Sequence, residues 1–491
     1  MKPHWELAFK SAWEILDLIK NKKVSPVEVV DHALKRLEEL NPILNAFLTI
    51  TYDKAMEAAH KAEQSVLYGE ELGPLHGLPI SIKDHISTAG IRTTSGSLIF
   101  KNNVPKKDDL IVERLKSSGA ISLGKTNLPE FGMIAATENF LGDDCVNPWD
   151  ITKIAGGSSG GASASVAAGI TPFAQGSDGG GSIRIPASLC GNFGIKPTTG
   201  RIPTIGQGIL SKLPQFTFSA ISPVSRTVKD AALFLQSVSG PNPNDPNCIK
   251  TQLPDLLNQL DNGISKYKIA WSPNLGSAQV DKEIADVTEK AAKSFSSFGA
   301  HVDIAPLNIN TESLFRCFST IMYTILYQSM GNTWKKQGHK MKPWLQTRFE
   351  YGSKVTGKDF LSAMAEMENW KININSLFET YDLLLTPTIS IPAFECGKWP
   401  TQINSTDIDE FSVSQNAGFY HFAYPFNMSG NPAASIPCGF SSQGLPIGLQ
   451  IVGKRGDELS VLKASAAYEK THPWTHTIPP LSITHMSNNL A

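Results

Sequence analysis

The sequence predicts an α/β fold carried by a single domain across residues 1–491. Three observations predict it. Short apolar runs alternate with helical spacings in both halves of the chain, no internal repeat is visible, and no shift in composition cuts it in two. Length alone suggests roughly three domains, yet large α/β enzymes often run this long as one.

The elements follow in chain order. Trp5, Leu7, Ala8, Ala12, Ile15, Leu16 and Ile19 fall on one helical face, without the continuous apolar run of a signal peptide. Ser25-Pro26-Val27-Glu28 is a capping box with Pro at the first helical position. The helix it opens turns Val29, Val30, Ala33, Leu34, Leu37 and Leu40 inward, and Asp53 to Val66 reads as an Ala-rich helix. These helices make up the N-terminal part, residues 1–66. Gly77 to Asp84 is a short apolar strand ending in two charges, Asp108 to Ser118 a helix, and Ala120 to Leu123 a buried strand.

From about Gly156 to Gly200 the composition shifts to Gly, Ser and Ala, as a linker's would. Val166-Ala167-Ala168, Phe173-Ala174 and Ile183 to Pro186 argue instead for tightly packed core, the centre of a unit spanning about 77–200. Pro241 to Pro246 is an irregular loop. Strands at Tyr267 to Trp271 and His301 to Ile304 flank a helix from Asp281 to Phe298. Residues 314–378 are helix-rich and variable, with aromatics free to face solvent or substrate. Tyr381 to Pro387 is a buried strand, Ala434 to Pro437 and Ile447 to Val452 are the last two strands, and Asp457 to Tyr468 is the final helix.

Composition excludes several function classes. Lys plus Arg total 44 against 45 for Asp plus Glu, which leaves no electrostatic footprint for nucleic acid or an anionic membrane. No apolar stretch approaches the roughly 18 residues of a membrane span. The six cysteines (145, 190, 248, 317, 396, 438) are scattered and read as reduced, buried thiols, not as a disulfide framework or zinc site. The cytoplasm is the default compartment.

Chemistry concentrates in three places. Ala155-Gly156-Gly157-Ser158-Ser159-Gly160-Gly161 precedes an Ala-rich helix. It lacks the lysine of a phosphate loop. It fits a nucleophile elbow centred on Ser159, but Asp150 to Ile154 is a poor strand to lead into one. It also fits a plain helix N-terminus with exposed amides. Gly179-Gly180-Gly181-Ser182 is the second place: successive glycine N–H groups can converge on one point as an oxyanion site requires, beside a serine hydroxyl. Lys83 is the third, a residue that at a strand end is ordinarily a snorkelling surface lysine.

Taken together, Gly156 to Gly161, Gly176-Ser-Asp-Gly-Gly-Gly-Ser-Ile-Arg-Ile-Pro186 and Cys190 to Pro197 resemble the signature of the amidase signature enzymes. Gly77 to Asp84, Gly124 to Glu130, Asn147-Pro-Trp149, Pro425 to Pro432 and Gly444 to Ile451 extend the resemblance over about residues 25 to 470. General amidases and 6-aminohexanoate amide hydrolases are the most similar branches. The resemblance implies one α/β/α domain, a large mixed β-sheet covered by helices on both faces. It implies hydrolysis of a carboxylic amide to acid plus amine or ammonia, with Ser182 as nucleophile, Ser158 as proton relay and Lys83 as base. The oxyanion-hole amides fall on Gly179, Gly180, Gly181 and Ser182, the peptide before Ser158 is cis, and Asp178 and Arg184 form a structural pair. No cofactor or metal is implied, and a homodimer is common among such enzymes.

The chemistry fits the residue types. Serine needs a base within reach. Lysine serves only when neutral, so its ordinary pKa of about 10.4 must be pulled down, as burial does. The family usually has threonine at the position of Ser177 and a larger residue at that of Gly179, so Gly179 leaves space beside the acyl carbon. Phe131, Gly132, Met133, Phe216, Phe218, Tyr323, Phe422 and Tyr424 stand in the variable, pocket-lining segments and favour an apolar or aryl amide. The alternatives are the glutaminase component of glutamyl-tRNA amidotransferase, which residues 351–360 do not resemble, a fatty-acid amide hydrolase, although the membrane anchor of some members is absent, a silent scaffold on the same fold, and an esterase pairing Ser159 with His421.

Overall fold

The computed structural model of the chain describes residues 7–204, 218–305, 307–409 and 418–483. Its frame is a mixed sheet of eleven strands among the described residues. In chain order these are β1 (Phe47–Ile50), β2 (Pro79–Lys83), β3 (Ile121–Thr126), β4 (Phe173–Asp178), β5 (Phe193–Lys196), β6 (Ala220–Ser225), β7 (Lys268–Trp271), β8 (His301–Ile304), β9 (Leu383–Pro387), β10 (Ala433–Phe440) and β11 (Pro446–Gly453). Their order across the sheet is β1-β3-β2-β4-β6-β5-β10-β11-β9-β7-β8. Strand β2 runs parallel to both its neighbours, β3 and β4, while β4, β6, β5, β10, β11 and β9 are successively antiparallel.

Both faces are buried, and the strand sequences show why. Leu383 and Leu385 enter one hydrophobic cluster and Leu384 the other, while Ile269 and Trp271 separate from Ala270 in the same way. Side chains alternate across a strand, so an all-apolar run supplies two cores at once. Helices Ala12–Lys20, Val228–Val238, Lys282–Ser294 and Glu458–Thr471 cover the first face. Thr311–Gln337 and Gly357–Thr380 cover the second. That packing explains a difference from expectation in the 314–378 segment: Phe315, Tyr323, Trp344, Phe349, Trp370 and Phe378 are all buried.

The capping box opens the helix Pro26–Leu44: Ser25 Oγ accepts from the Glu28 N–H at 3.1 Å, and the Glu28 carboxylate accepts from the Ser25 N–H at 2.8 Å. The Gly/Ser/Ala stretch is core. Between residues 155 and 198 only Gly179, Gly180, Ser182 and Gly191 are less than fully buried. It contains β4, β5 and the helices Gly160–Ala167 and Arg184–Cys190, of which the sequence pattern predicts only the first. Cys145, Cys190 and Cys317 are buried, whereas Cys248, Cys396 and Cys438 are partly exposed, and all six are free thiols. Among the described residues no helix is long and apolar enough to cross a membrane.

Small residues permit this packing. A Cβ on Gly161, in the first turn of Gly160–Ala167, would overlap the Ala46 carbonyl oxygen and stand 2.5 Å from the Asn127 nitrogen. Gly161→Ala is therefore expected to lower stability by about 1–3 kcal/mol, because the clash is with backbone that cannot turn aside. A urea melt with an unchanged m-value measures it; an unaltered midpoint would refute the close-packing account.

Candidate active site

Lys83 is the last residue of β2, and Ser177 and Asp178 are the last two of the parallel neighbour β4. Parallel strands bring their carboxyl ends to the same edge, so residues nearly a hundred positions apart meet there. The segment before the helix Gly160–Ala167 lies against them, with a cis peptide bond between Gly157 and Ser158. Lys83 Nζ donates to Ser158 Oγ at 2.7 Å and stands 3.3 Å from Ser177 Oγ. Lys83 and Ser158 are both buried. Burial draws the Lys83 amine down to about 7, with Asp178 acting in the opposite direction. Hydroxyls, not a carboxylate, are its hydrogen-bond partners.

Ser182 opens to the same cavity as Lys83, Ser158, Gly179 and Gly180. Its carbonyl accepts from the Ser159 N–H at 3.1 Å, which ties the turn bearing Ser182 to the turn bearing Ser158. Ser159 itself is wholly buried, its hydroxyl placed between the carbonyl and N–H of Ser177, and it does not line the cavity.

The four amides predicted to form the oxyanion site reduce to three. The Gly181 N–H is spent on Asp178 Oδ1 at 2.8 Å. Those of Gly179, Gly180 and Ser182 bond to no other described residue and border the cavity. The geometry around Asp178 accounts for the division. Arg184 meets its carboxylate with two bonds, Nε to Oδ2 at 2.9 Å and Nη2 to Oδ1 at 3.0 Å. Arg184 also reaches Gln450 and Asn427, each at 2.6 Å, and Asn427 Nδ2 returns to the Asp178 carbonyl at 2.8 Å. All of this is buried. Burial alone would raise the Asp178 carboxyl, but Arg184 and Asn427 hold it well below the carboxylate range.

Of the eight residues that the sequence places in pocket-lining segments, Phe131, Gly132, Met133, Phe218 and Tyr323 line the cavity. Phe422 and Tyr424 do not: both are fully buried behind the wall, the Tyr424 hydroxyl donating to the Thr311 carbonyl at 2.7 Å. Their place is taken by Phe318, Met322 and Tyr420, which the sequence does not single out. Phe216 lies outside the described residues. The segments holding Asn427 and Gln450 belong to the family resemblance, but the sequence alone assigns neither residue a role. The signal that could have found them is a polar amide side chain set in an otherwise apolar, buried run.

Comparison with known proteins places this arrangement. The family model described as Amidase matches residues 28–462. The chain is 34% identical to an acylamidase of Rhodococcus erythropolis over 98% of each chain. It is also 34% identical to the GatA-type chain of the glutamyl-tRNA(Gln) amidotransferase of Heliobacterium modesticaldum, covering 97% of this chain and all of that one. Among solved structures, a bacterial aryl acylamidase of the amidase signature family superposes with a TM-score of 0.88 at 31% identity, covering 96% of this chain and 98% of that one.

The ion pair yields a prediction. Arg184→Met leaves Asp178 charged, buried and short of its main partner, so stability should fall by about 3–5 kcal/mol. Chemical denaturation checks it, and a loss below about 1 kcal/mol would show that the pair is not holding this end of the sheet.

Proposed function

This chain belongs to the amidase family and is an amide-hydrolysing enzyme; we propose that Ser182 is its nucleophile, Ser158 its proton relay and Lys83 its base. The observation that carries the assignment is the 2.7 Å bond from a buried lysine to Ser158, set beside three unpaired amides around Ser182. Neutral Lys83 takes the proton of Ser158 as Ser158 takes that of Ser182, whose oxygen attacks the amide carbon. Negative charge then develops on the carbonyl oxygen, which the N–H groups of Gly179, Gly180 and Ser182 bordering the cavity stabilise by donating to it. Ser158 returns the proton to the nitrogen as the carbon–nitrogen bond breaks and the amine leaves. Water, deprotonated by the same relay, cleaves the acyl-enzyme to release the acid.

The cavity wall supports an uncharged apolar or aryl amide. Phe131, Met133, Phe218, Phe318, Met322 and Tyr420 contribute carbon surface. Among the described lining residues the only ionisable amine or imidazole groups are Lys83 and His85, and there is no carboxylate or guanidinium. Burial, aided by Lys83 and Lys125, keeps His85 well below its usual range and neutral. Among the described lining residues no carboxylate would pair with the ammonium of a free amino acid and no guanidinium with its carboxylate, which counts against a glutaminase role despite the similarity to amidotransferase chains.

Labelling with a fluorophosphonate followed by peptide mass spectrometry should place the adduct on Ser182. Lys83→Ala should slow labelling by about 10²–10⁴-fold, the range of general base catalysis. An adduct on Ser159 would overturn the assignment. The pH dependence has a definite sign: the base works only when neutral, so kcat/KM should fall about tenfold per pH unit below an apparent pKa near 7 and level off above it. A flat profile between pH 5 and 8 would exclude Lys83 as the base. Aryl acylamides should be hydrolysed and glutamine should not.

A further inference from the structure

Three consecutive glycines precede Ser182, and the structure requires only two of them. Gly181 has φ +116°, a region L side chains rarely adopt, and a Cβ there would overlap Ala423. At Gly180 a Cβ would come within 3.0 Å of the Phe318 ring. Gly179 is different. Its φ lies outside the left-handed region, and among the described residues a Cβ would meet nothing nearer than Ser219 Cβ at 3.7 Å, an ordinary van der Waals contact. Neither backbone conformation nor packing calls for glycine at that position.

The consequence of the missing side chain is open space, because Gly179 and Ser219 both line the cavity. A second glycine, Gly132, opens the cavity elsewhere: a Cβ on it would meet only Ser158, with Oγ at 3.2 Å. The departing amine must lie by Ser158, which gives it a proton, so it occupies the Gly132 region. The gap between Gly179 and Ser219 is then left for the acyl half. Beside it stand Phe218 and Phe318, stacked with ring centroids 5.6 Å apart, the latter in reach of Gly180.

We propose that Gly179 is a specificity-determining residue: the gap between it and Ser219 admits acyl groups that are branched or ringed at the carbon next to the carbonyl. The assignment rests on Ser182 being the acylated residue. A single methyl in an apolar subsite discriminates about 10–200-fold between substrates.

The test uses anilides of one aniline carrying acetyl, isobutyryl, pivaloyl or benzoyl groups, and a second series with the acetyl group kept and the amine varied. Gly179→Ala narrows the gap from one wall. Ser219→Val narrows it from the other without altering the Gly-Gly-Gly-Ser backbone, so a misfolded Gly179 variant would not end the test. In each variant the ratio of kcat/KM for the bulky acyl groups over acetyl should drop at least about tenfold, with no change of rank in the amine series. Unchanged acyl ratios in Ser219→Val, a shift that follows the amine series, or a uniform loss across both series would overturn the proposal. Fluorophosphonate labelling of every protein separates two kinds of failure. No adduct on Ser182 of the native enzyme removes the catalytic reading itself, whereas normal labelling with unchanged ratios removes only the acyl gap.

Discussion

The candidate active site at the edge of the sheet depends on one buried ion pair, Asp178 with Arg184. It joins the end of β4 to the helix Arg184–Cys190, and through Gln450 and Asn427 to β11 and the helix Pro425–Ser429, more than 240 residues away. A buried pair of this kind is costly to desolvate, and it is tolerated here because further hydrogen bonds satisfy both partners. Its effect on the site is specific. Asp178 takes the Gly181 N–H, while Gly180 and Ser182 on either side of it border the cavity.

Burial does the rest of the electrostatic work, and its limits are instructive. Lys196 is drawn down to about 7 as Lys83 is, by burial with Arg184 adding to it. Yet Lys196 donates to the Pro197 carbonyl and does not line the cavity. A lysine with a lowered pKa is therefore not in itself a catalytic feature. What distinguishes Lys83 is its partner, a serine hydroxyl that can carry the proton onward, and its position where two parallel strands end together.

The glycines serve two separable purposes. Gly157, Gly161 and Gly176 let backbone and small side chains approach closely: an added Cβ would lie 2.8 Å from the Ala136 nitrogen at the first, 2.5 Å from the Asn127 nitrogen at the second and 2.5 Å from Ile183 Cδ1 at the third. Gly132 and Gly179 line the cavity instead, and their missing side chains leave space in it.

Much of this is legible in the sequence, for identifiable reasons. Apolar runs such as Leu383–Pro387 and the capping box at Ser25 are local signals, and local chemistry decides them. The Gly-Gly-Gly-Ser turn and Lys83 belong to motifs specific enough to be read together, so the candidate triad can be named from the sequence. The helix Arg184–Cys190 and strands β5 and β6 are not legible, because short, uniformly buried segments carry no periodicity. The pocket wall is legible only in part. Phe131 and Met133 reach the cavity while Phe422 and Tyr424 pack behind it, a choice made by how the long helix Thr311–Gln337 lies across the sheet. The sequence by itself determined the fold class, the candidate reacting groups and the run of glycine amides, since these rest on local pattern and on motifs specific enough to carry a family resemblance. Only the tertiary structure decided which amide is spent on Asp178, which aromatics line the cavity and where a glycine leaves room, since each depends on what distant segments bring into contact.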